Sequence, residues 1–184
     1  MATTNTKTTK TTVDKTTKTT TAKTTKTTAN NDRPFIPVDV RLTDYVVVRN
    51  GFQGNLVYQS KKTGEVYFWD EFGSEQEMEL RELVNAKNSY KGFFINNWFM
   101  FDEDWIVDYL GVRQFYKNAL SLDEFDSIFE LTPTEIKQKV SLLSEGQKKS
   151  LSYRAKELIS EKKIDSLSVI SAIEEALGLD IVEK

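Results

Sequence analysis

The 184-residue sequence contains no cysteine and no histidine. Their absence excludes disulfides, thiol nucleophiles, zinc sites of the Cys/His type and every Ser-His-Asp arrangement. Histidine is also the side chain that titrates unaided near neutral pH, so acid–base catalysis would require a carboxylate or a lysine with a strongly displaced pKa. We therefore expect a protein that is not an enzyme and that uses no cofactor.

Long apolar runs are absent as well. No stretch approaches the eighteen or more apolar residues that a membrane-spanning helix needs, and the polar N-terminus lacks the apolar segment of a secretory signal. Gly51 and Gly54 do not fit the spacing of a phosphate-binding loop. We expect a soluble, intracellular chain with no transmembrane segment and no signal peptide.

Charge is unevenly distributed along the chain. Residues 1–30 hold six lysines against Asp14 alone, a charge of +5, whereas residues 31–184 hold 19 basic and 27 acidic residues, a charge of −8. Within the second part, residues 65–131 are strongly acidic and residues 132–163 are basic. Such segregation bears on association with partners, and it carries no information about the fold.

The basic N-terminus is an octapeptide repeat, with three units that each begin KTTKTT at Lys7, Lys15 and Lys23. Threonine is a poor helix former and almost no apolar side chain is present, so we predict a disordered arm over residues 1–33. Its lysines could tether the protein to nucleic acid or to an acidic protein surface, or the arm could be only a solubilising tail. The candidate contact residues are Lys7, Lys10, Lys15, Lys18, Lys23 and Lys26.

Residues 34–184 are predicted to form a single α+β domain, with mainly strands over 34–72 and mainly helices over 73–184. Runs rich in β-branched and aromatic residues predict strands at 45–49, 56–59 and 66–69, and WFMF at 98–101 suggests a short fourth strand. The turn signals between the first three strands favour a small antiparallel meander.

Repeated helix-start signals predict a compact array of five to six short helices. Four pairs fit the capping box, in which a hydroxyl and an acid or amide satisfy two backbone amides reciprocally: Ser74/Glu77, Ser121/Glu124, Thr132/Glu135 and Ser144/Gln147. They predict helices at 75–87, 122–130, 133–143 and 145–161. Asp102 is expected to cap a helix over 103–110 that stops at Gly111, and Asp165 one that ends before Gly178.

Two clusters have both a functional and a structural interpretation. The aromatic cluster between Phe93 and Trp105 could be a docking patch, but core is favoured because large aromatic residues are usually buried. The acidic groups at 70–71 and 102–108 could hold magnesium, yet neither has the ligand spacing of an ion site, and we predict no metal.

A third cluster is a possible basic patch on the predicted 145–161 helix and just after it: Lys148, Lys149, Arg154, Lys156, Lys162 and Lys163. A helix, a tight turn and a basic helix form the outline of a DNA-reading motif. The same outline describes any antiparallel helix pair with a solvated lysine face, and this interpretation is favoured because base-reading side chains are few.

The sequence as a whole, through residues 48–69, 79–104 and 143–181, resembles small accessory proteins encoded by tailed bacteriophages. The resemblance implies a virion or assembly protein, attached to capsid or tail and found in the virion or the host cytoplasm. The leading hypothesis is a non-catalytic structural or assembly protein, with a protein partner reached by the domain and the arm. The alternative is a nucleic-acid-binding protein that uses the arm and the basic helix without sequence preference.

Overall fold

The computed structural model describes residues 36–181, which belong to one compact unit spanning residues 33–184. The predicted arm over residues 1–33, with its six lysines, lies outside the described residues. Antiparallel strands come first and helices follow, so the predicted α+β class is confirmed.

Five strands lie in two small sheets: β1 Tyr45–Asn50, β2 Leu56–Gln59, β3 Val66–Trp69, β4 Glu75–Glu79 and β5 Phe99–Met100. A three-stranded sheet has the order β4-β1-β5, and a separate hairpin pairs β2 with β3, all antiparallel. The Trp69 indole donates a hydrogen bond of 2.9 Å to the carbonyl of Val48, which holds the hairpin against the larger sheet.

The four predicted strands lie where they were expected, including the short one within 98–101, but β1 does not pair with β2 as a meander requires. Buried Asn50 is the reason. The side-chain NH2 group of Asn50 donates to the backbone carbonyls of Gly54 and Glu71. Its side-chain oxygen accepts from the backbone amide of Phe52. These bonds form a loop that leads the chain out of the first sheet, where a tight hairpin was expected.

The helix predicted over 75–87 is partly wrong, because residues 75–79 form β4. Each pairs with β1, from Tyr45 opposite Glu79 to Arg49 opposite Glu75. The Ser74 hydroxyl donates to the carbonyl of Glu71 and caps no helix. The side chains of a strand alternate between its two faces, so Met78 lies in the core and the neighbouring Glu77 and Glu79 lie on the outer face. Pairing with β1 also gives the backbone N–H groups of this segment hydrogen-bond partners, which a capping box would otherwise provide.

Eight α-helices occur within residues 36–181, more than the five to six expected, because several are single turns: α1 Leu80–Ser89, α2 Gly92–Ile95, α3 Asp104–Tyr109, α4 Arg113–Tyr116, α5 Leu122–Ser127, α6 Pro133–Leu142, α7 Glu145–Ser160 and α8 Leu167–Leu177. A 3-10 turn at Ile128–Glu130 follows α5. Gly178 ends α8 in the left-handed conformation, as predicted.

Two of the four predicted capping boxes are complete, at α5 and α6. At α7 the Ser144 hydroxyl accepts from the Gln147 amide, but the Gln147 side chain bonds to the backbone of Leu120 instead. The caps expected from Asp102 and Asp165 are wrong. The N-cap residues are Glu103 and Ser166, and Asp102 binds Arg49.

The buried apolar residues form two clusters. One lies between the sheets and α1 to α3, and it includes the predicted aromatic cluster, with Phe94 and Phe99 fully buried and their aromatic neighbours packed around them. The prediction that this aromatic cluster belongs to the core is therefore confirmed. The other lies among α5 to α8.

Helix α7 joins the two clusters. The Ser150 hydroxyl donates to the carbonyl of Gly51 and accepts from the Gln53 amide, while Leu151 and Ala155 lie in the helical core. The first turn of α7 comes so close to Asn96 that a Cβ on Gly146 would lie 2.2 Å from the Asn96 carbonyl oxygen. Only glycine fits at that position.

Candidate functional site

The predicted basic patch is largely engaged within the domain. Arg154 binds Asp126 at 2.5 Å and Glu157 at 2.7 Å, and the Arg154 guanidinium lowers the pKa of Asp126. Lys148 pairs with Glu145, Lys163 pairs with Glu161, and the Lys149 ammonium lies 5.8 Å from the centre of the Phe52 ring. Lys156 and Lys162 are exposed. Much of the positive charge of the patch is thus offset by neighbouring carboxylates.

A DNA-reading helix presents one long face to its ligand, whereas α7 buries residues along two sides. Gly146 and Ser150 pack toward the sheets, and Leu151, Ala155 and Leu158 pack toward the other helices. The geometry is that of a central supporting helix. Only a narrow strip that includes Lys149, Tyr153 and Lys156 remains exposed.

The acidic residues near α3 serve mainly as partners for arginines. Arg49 binds Asp102 through Nε at 2.8 and 2.9 Å, and Arg113 binds Asp108 and reaches Asp104. Within residues 36–181, no three acidic side chains are arranged so that they could hold a metal ion. In these pairs the arginines offset the charge of the carboxylates that they bind.

A larger acidic surface runs between the sheets and the helical array, and we call it the acidic groove. Two adjoining cavities of about 770 and 500 Å³ share Leu122 and Asp123. Six carboxylates line them: Glu71, Asp102, Asp104, Asp123, Asp126 and Glu157. The two arginines that also line the cavities, Arg49 and Arg154, each bind two carboxylates. The excess charge of the groove is negative.

A second acidic surface, the tyrosine–glutamate cavity, lies where the outer face of the three-stranded sheet meets the β2–β3 hairpin. Its volume is about 300 Å³, and it is lined by Tyr45, Thr63, Glu65, Tyr67, Glu77, Glu79, Arg81 and Glu82. Tyr45 lies opposite Glu79 in the β1–β4 ladder, and strand alternation puts Glu77 on the same face. Four carboxylates therefore share this cavity with one guanidinium.

One of these carboxylates is buried. Glu82 is only 4% exposed, and it accepts hydrogen bonds from the Tyr58 hydroxyl at 2.5 Å and the Asn85 amide at 3.1 Å. Both donors are neutral, and Arg81, the one cation lining the cavity, pairs with Glu79 at 2.8 Å. A buried charge is normally paired with an opposite charge or bound to a metal. Glu82 therefore makes the interior of the cavity favourable for a cation.

Three tyrosines at or next to the cavity have raised pKa values. The Glu79 carboxylate raises the pKa of Tyr45. Burial, and then the hydrogen bond to Glu82, raise the pKa of Tyr58. Burial and then Glu65, whose carboxylate accepts from the Tyr67 hydroxyl at 2.7 Å, raise the pKa of Tyr67. Ionisation is therefore disfavoured mainly by burial at Tyr58 and Tyr67, and mainly by the neighbouring carboxylate at Tyr45.

The outward face of the β2–β3 hairpin is apolar. Cross-strand neighbours Val57 and Phe68 are about half exposed, and Val66 on the same face is exposed to a similar degree. We call these three residues the hairpin face. Their clustering contrasts with the isolated apolar side chains that are common on protein surfaces.

Comparisons with protein-family models, with curated proteins and with solved structures found no match to this chain. No helix among residues 36–181 has the length and apolarity to cross a bilayer.

Sequence reasoning did not identify the tyrosine–glutamate cavity. The signal was present in EQEME at 75–79, where a glutamate at every second position is the alternation of a strand with one charged face. The Ser74/Glu77 capping pattern matched the same residues and favoured a helix. Tyr45 comes from β1, Tyr67 from β3 and Glu65 from the turn before β3, and only tertiary structure brings them to β4.

Proposed function

We propose that this is a non-catalytic structural or assembly protein that docks through its folded domain and tethers through its cationic arm. The observation that carries the proposal is charge segregation between a +5 segment at residues 1–30 and a domain with two concave acidic surfaces. In its simplest form, the arm of one copy binds the acidic surface of another copy. Lysines on an extended segment can each meet a carboxylate without a preformed site.

The hairpin face supplies an apolar surface for docking of the domain itself. A few clustered apolar side chains rimmed by polar residues are typical of interaction surfaces. Together with the resemblance to tailed-phage accessory proteins, this surface supports a place in a virion, on capsid or tail, where such a component contacts a protein partner.

The test is self-association of the full chain in which the six arm lysines are replaced by glutamine. We expect the variant to dissociate at concentrations where the parent assembles, as measured by sedimentation velocity. Thermal stability should be unchanged, because both buried clusters lie within residues 46–181. The matched control replaces the same lysines with arginine, which keeps the charge and should preserve assembly. Assembly of the glutamine variant at parental strength would contradict the proposal.

A second candidate is a sequence-nonspecific nucleic-acid-binding protein. The exposed Lys156 and Lys162 favour it, since they could act together with the arm. Six lysines that neutralise six phosphates predict a slope of about −5 for log affinity against log salt on duplex DNA. Absence of binding to duplex and single-stranded DNA at low salt would dispose of this candidate.

A further inference from the structure

We propose that the tyrosine–glutamate cavity binds a lysine side chain from the KTTKTT repeats, residues 7–28, of a second copy of this chain. The inference rests on the proposed function and specifies the contact through which the arm acts. It follows from the chemistry of the cavity, from the state of the competing acidic groove and from the length of the repeat segment.

The lining of the cavity matches an alkylammonium ion. Glu65, Glu77 and Glu82 remain after Glu79 is paired with Arg81, and they provide carboxylates for the three N–H donors of a lysine. Tyr45 and Tyr67 provide ring faces on which a cation and its methylene stem can pack. A volume of about 300 Å³ lies at the lower limit of ligand pockets, which suits one long side chain.

The buried carboxylate of Glu82 distinguishes this cavity from an ordinary acidic surface. Exposed carboxylates are hydrated, and their charge requires no partner. Glu82 is 4% exposed, and within the described part of the chain it accepts hydrogen bonds from the neutral groups of Tyr58 and Asn85 and forms no ion pair. Entry of an ammonium group would supply a counter-ion.

The acidic groove is a weaker competitor for a lysine. Arg49 and Arg154 already lie within it, and each binds two carboxylates. Its cavities, of about 770 and 500 Å³, are also larger than the tyrosine–glutamate cavity of about 300 Å³. A lysine there would pair with exposed, hydrated carboxylates such as Asp123.

The first described residues lie next to the cavity rim. The carbonyls of Leu42 and Asp44 accept hydrogen bonds from the amides of Arg81 and Leu80, so residues before β1 run beside the cavity rim. Thirty residues can extend about 100 Å, which is enough to reach a neighbouring copy. One chain carries three repeats, and its residues 36–181 form one such cavity, so repeats remain available for other copies.

The direct test is zero-length carbodiimide cross-linking of the full chain, using an equal mixture of ¹⁴N- and ¹⁵N-labelled protein analysed by mass spectrometry. We expect mixed-isotope peptides that join a lysine of residues 7–28 to Glu65 or Glu77. Cross-links confined to peptides of a single isotope would show contact within one copy and overturn the proposal. Mixed-isotope cross-links concentrated on Asp123 in the acidic groove would overturn it as well.

Affinity measurements on exposed cavity residues provide the second readout. Tyr45→Leu removes a ring face and Glu77→Gln removes a carboxylate, so we expect the double variant to raise the dissociation constant for self-association on the order of tenfold. Tyr45→Phe keeps the ring and should retain parental affinity. Asp123→Asn makes the same charge change in the acidic groove, and an equal weakening by that variant would overturn the assignment.

The two levels of the proposal fail differently. If the variant with six glutamines in the arm assembles like the parent, the proposed function itself is wrong. If that variant dissociates while the Tyr45→Leu/Glu77→Gln protein assembles normally, the arm acts through another surface and only the cavity assignment is wrong. Circular-dichroism melting of each variant verifies that the domain remains folded.

Discussion

Replacing Gly146 with alanine is expected to destabilise the domain, against the usual effect of this substitution in a helix. Gly146 lies in the first turn of α7, and an added Cβ would be 2.2 Å from the carbonyl oxygen and 2.4 Å from the Cβ of Asn96. Ordinary contacts between carbon and oxygen are about 3.3–3.6 Å. The two backbone segments would therefore have to separate by roughly 1 Å.

The magnitude follows from two opposing effects. Alanine restricts the unfolded chain and normally stabilises by about 0.4–1 kcal/mol. Overpacking that forces backbone shifts costs about 1–3 kcal/mol. The Ser150 bonds to Gly51 and Gln53 lie one turn further along the same face of α7, so the shift would strain them too. We expect a net loss of about 2 kcal/mol in the free energy of unfolding.

Urea denaturation followed by circular dichroism measures this loss. Gly92→Ala is the matched control: Gly92 also lies in a first helical turn, but the nearest atom to an added Cβ is 3.8 Å away. That variant should be neutral or slightly more stable. A Gly146→Ala protein as stable as the parent would refute the inferred close approach of α7 to Asn96.

Two further perturbations test the cavity and the helix caps. Tyr58→Phe removes the 2.5 Å donor to buried Glu82 and should cost about 1–3 kcal/mol of stability in urea titration, whereas Tyr67→Phe, whose partner Glu65 is exposed, should cost little. Hydrogen bonds from the Ser121 amide and hydroxyl lower the pKa of Glu124, so its contribution is present above the ordinary value of 4.5 and is lost as the pH falls through the folded value. The free energy of unfolding should then fall less steeply on acidification in Glu124→Gln than in the parent.

Local signals in the sequence were sufficient where the structure satisfies them locally. The boxes at α5 and α6 formed as predicted because each joins residues three apart, and Gly178 ended α8 because glycine adopts the left-handed conformation without steric cost. The first three strands were located by their β-branched and aromatic composition.

The same signals misled wherever a distant partner competed with the local one. Residues 75–79, after the Ser74 pattern, pair with β1 and form no helix. The side-chain amide of Gln147 bonds to the backbone of Leu120, and Asp102 binds Arg49, 53 residues away. In each case the long-range partner satisfied a polar group that the local pattern assigned to a cap. Capping motifs depend on a few residues, and pairing in a sheet or core outweighs them.

The sequence by itself determined the distribution of charge, the repeat, the α+β class and the positions of most elements, because composition and short-range periodicity encode them. Only tertiary structure decided which strands pair, that α7 joins two cores, and that four glutamates and two tyrosines surround one cavity. Those residues come from β1, the turn before β3, β3, β4 and α1, and no pattern within a single segment specifies that they meet. Their proximity depends on the loop around Asn50. This loop leads the chain away from β1, so β2 does not pair with β1 and an edge of β1 is free to pair with β4.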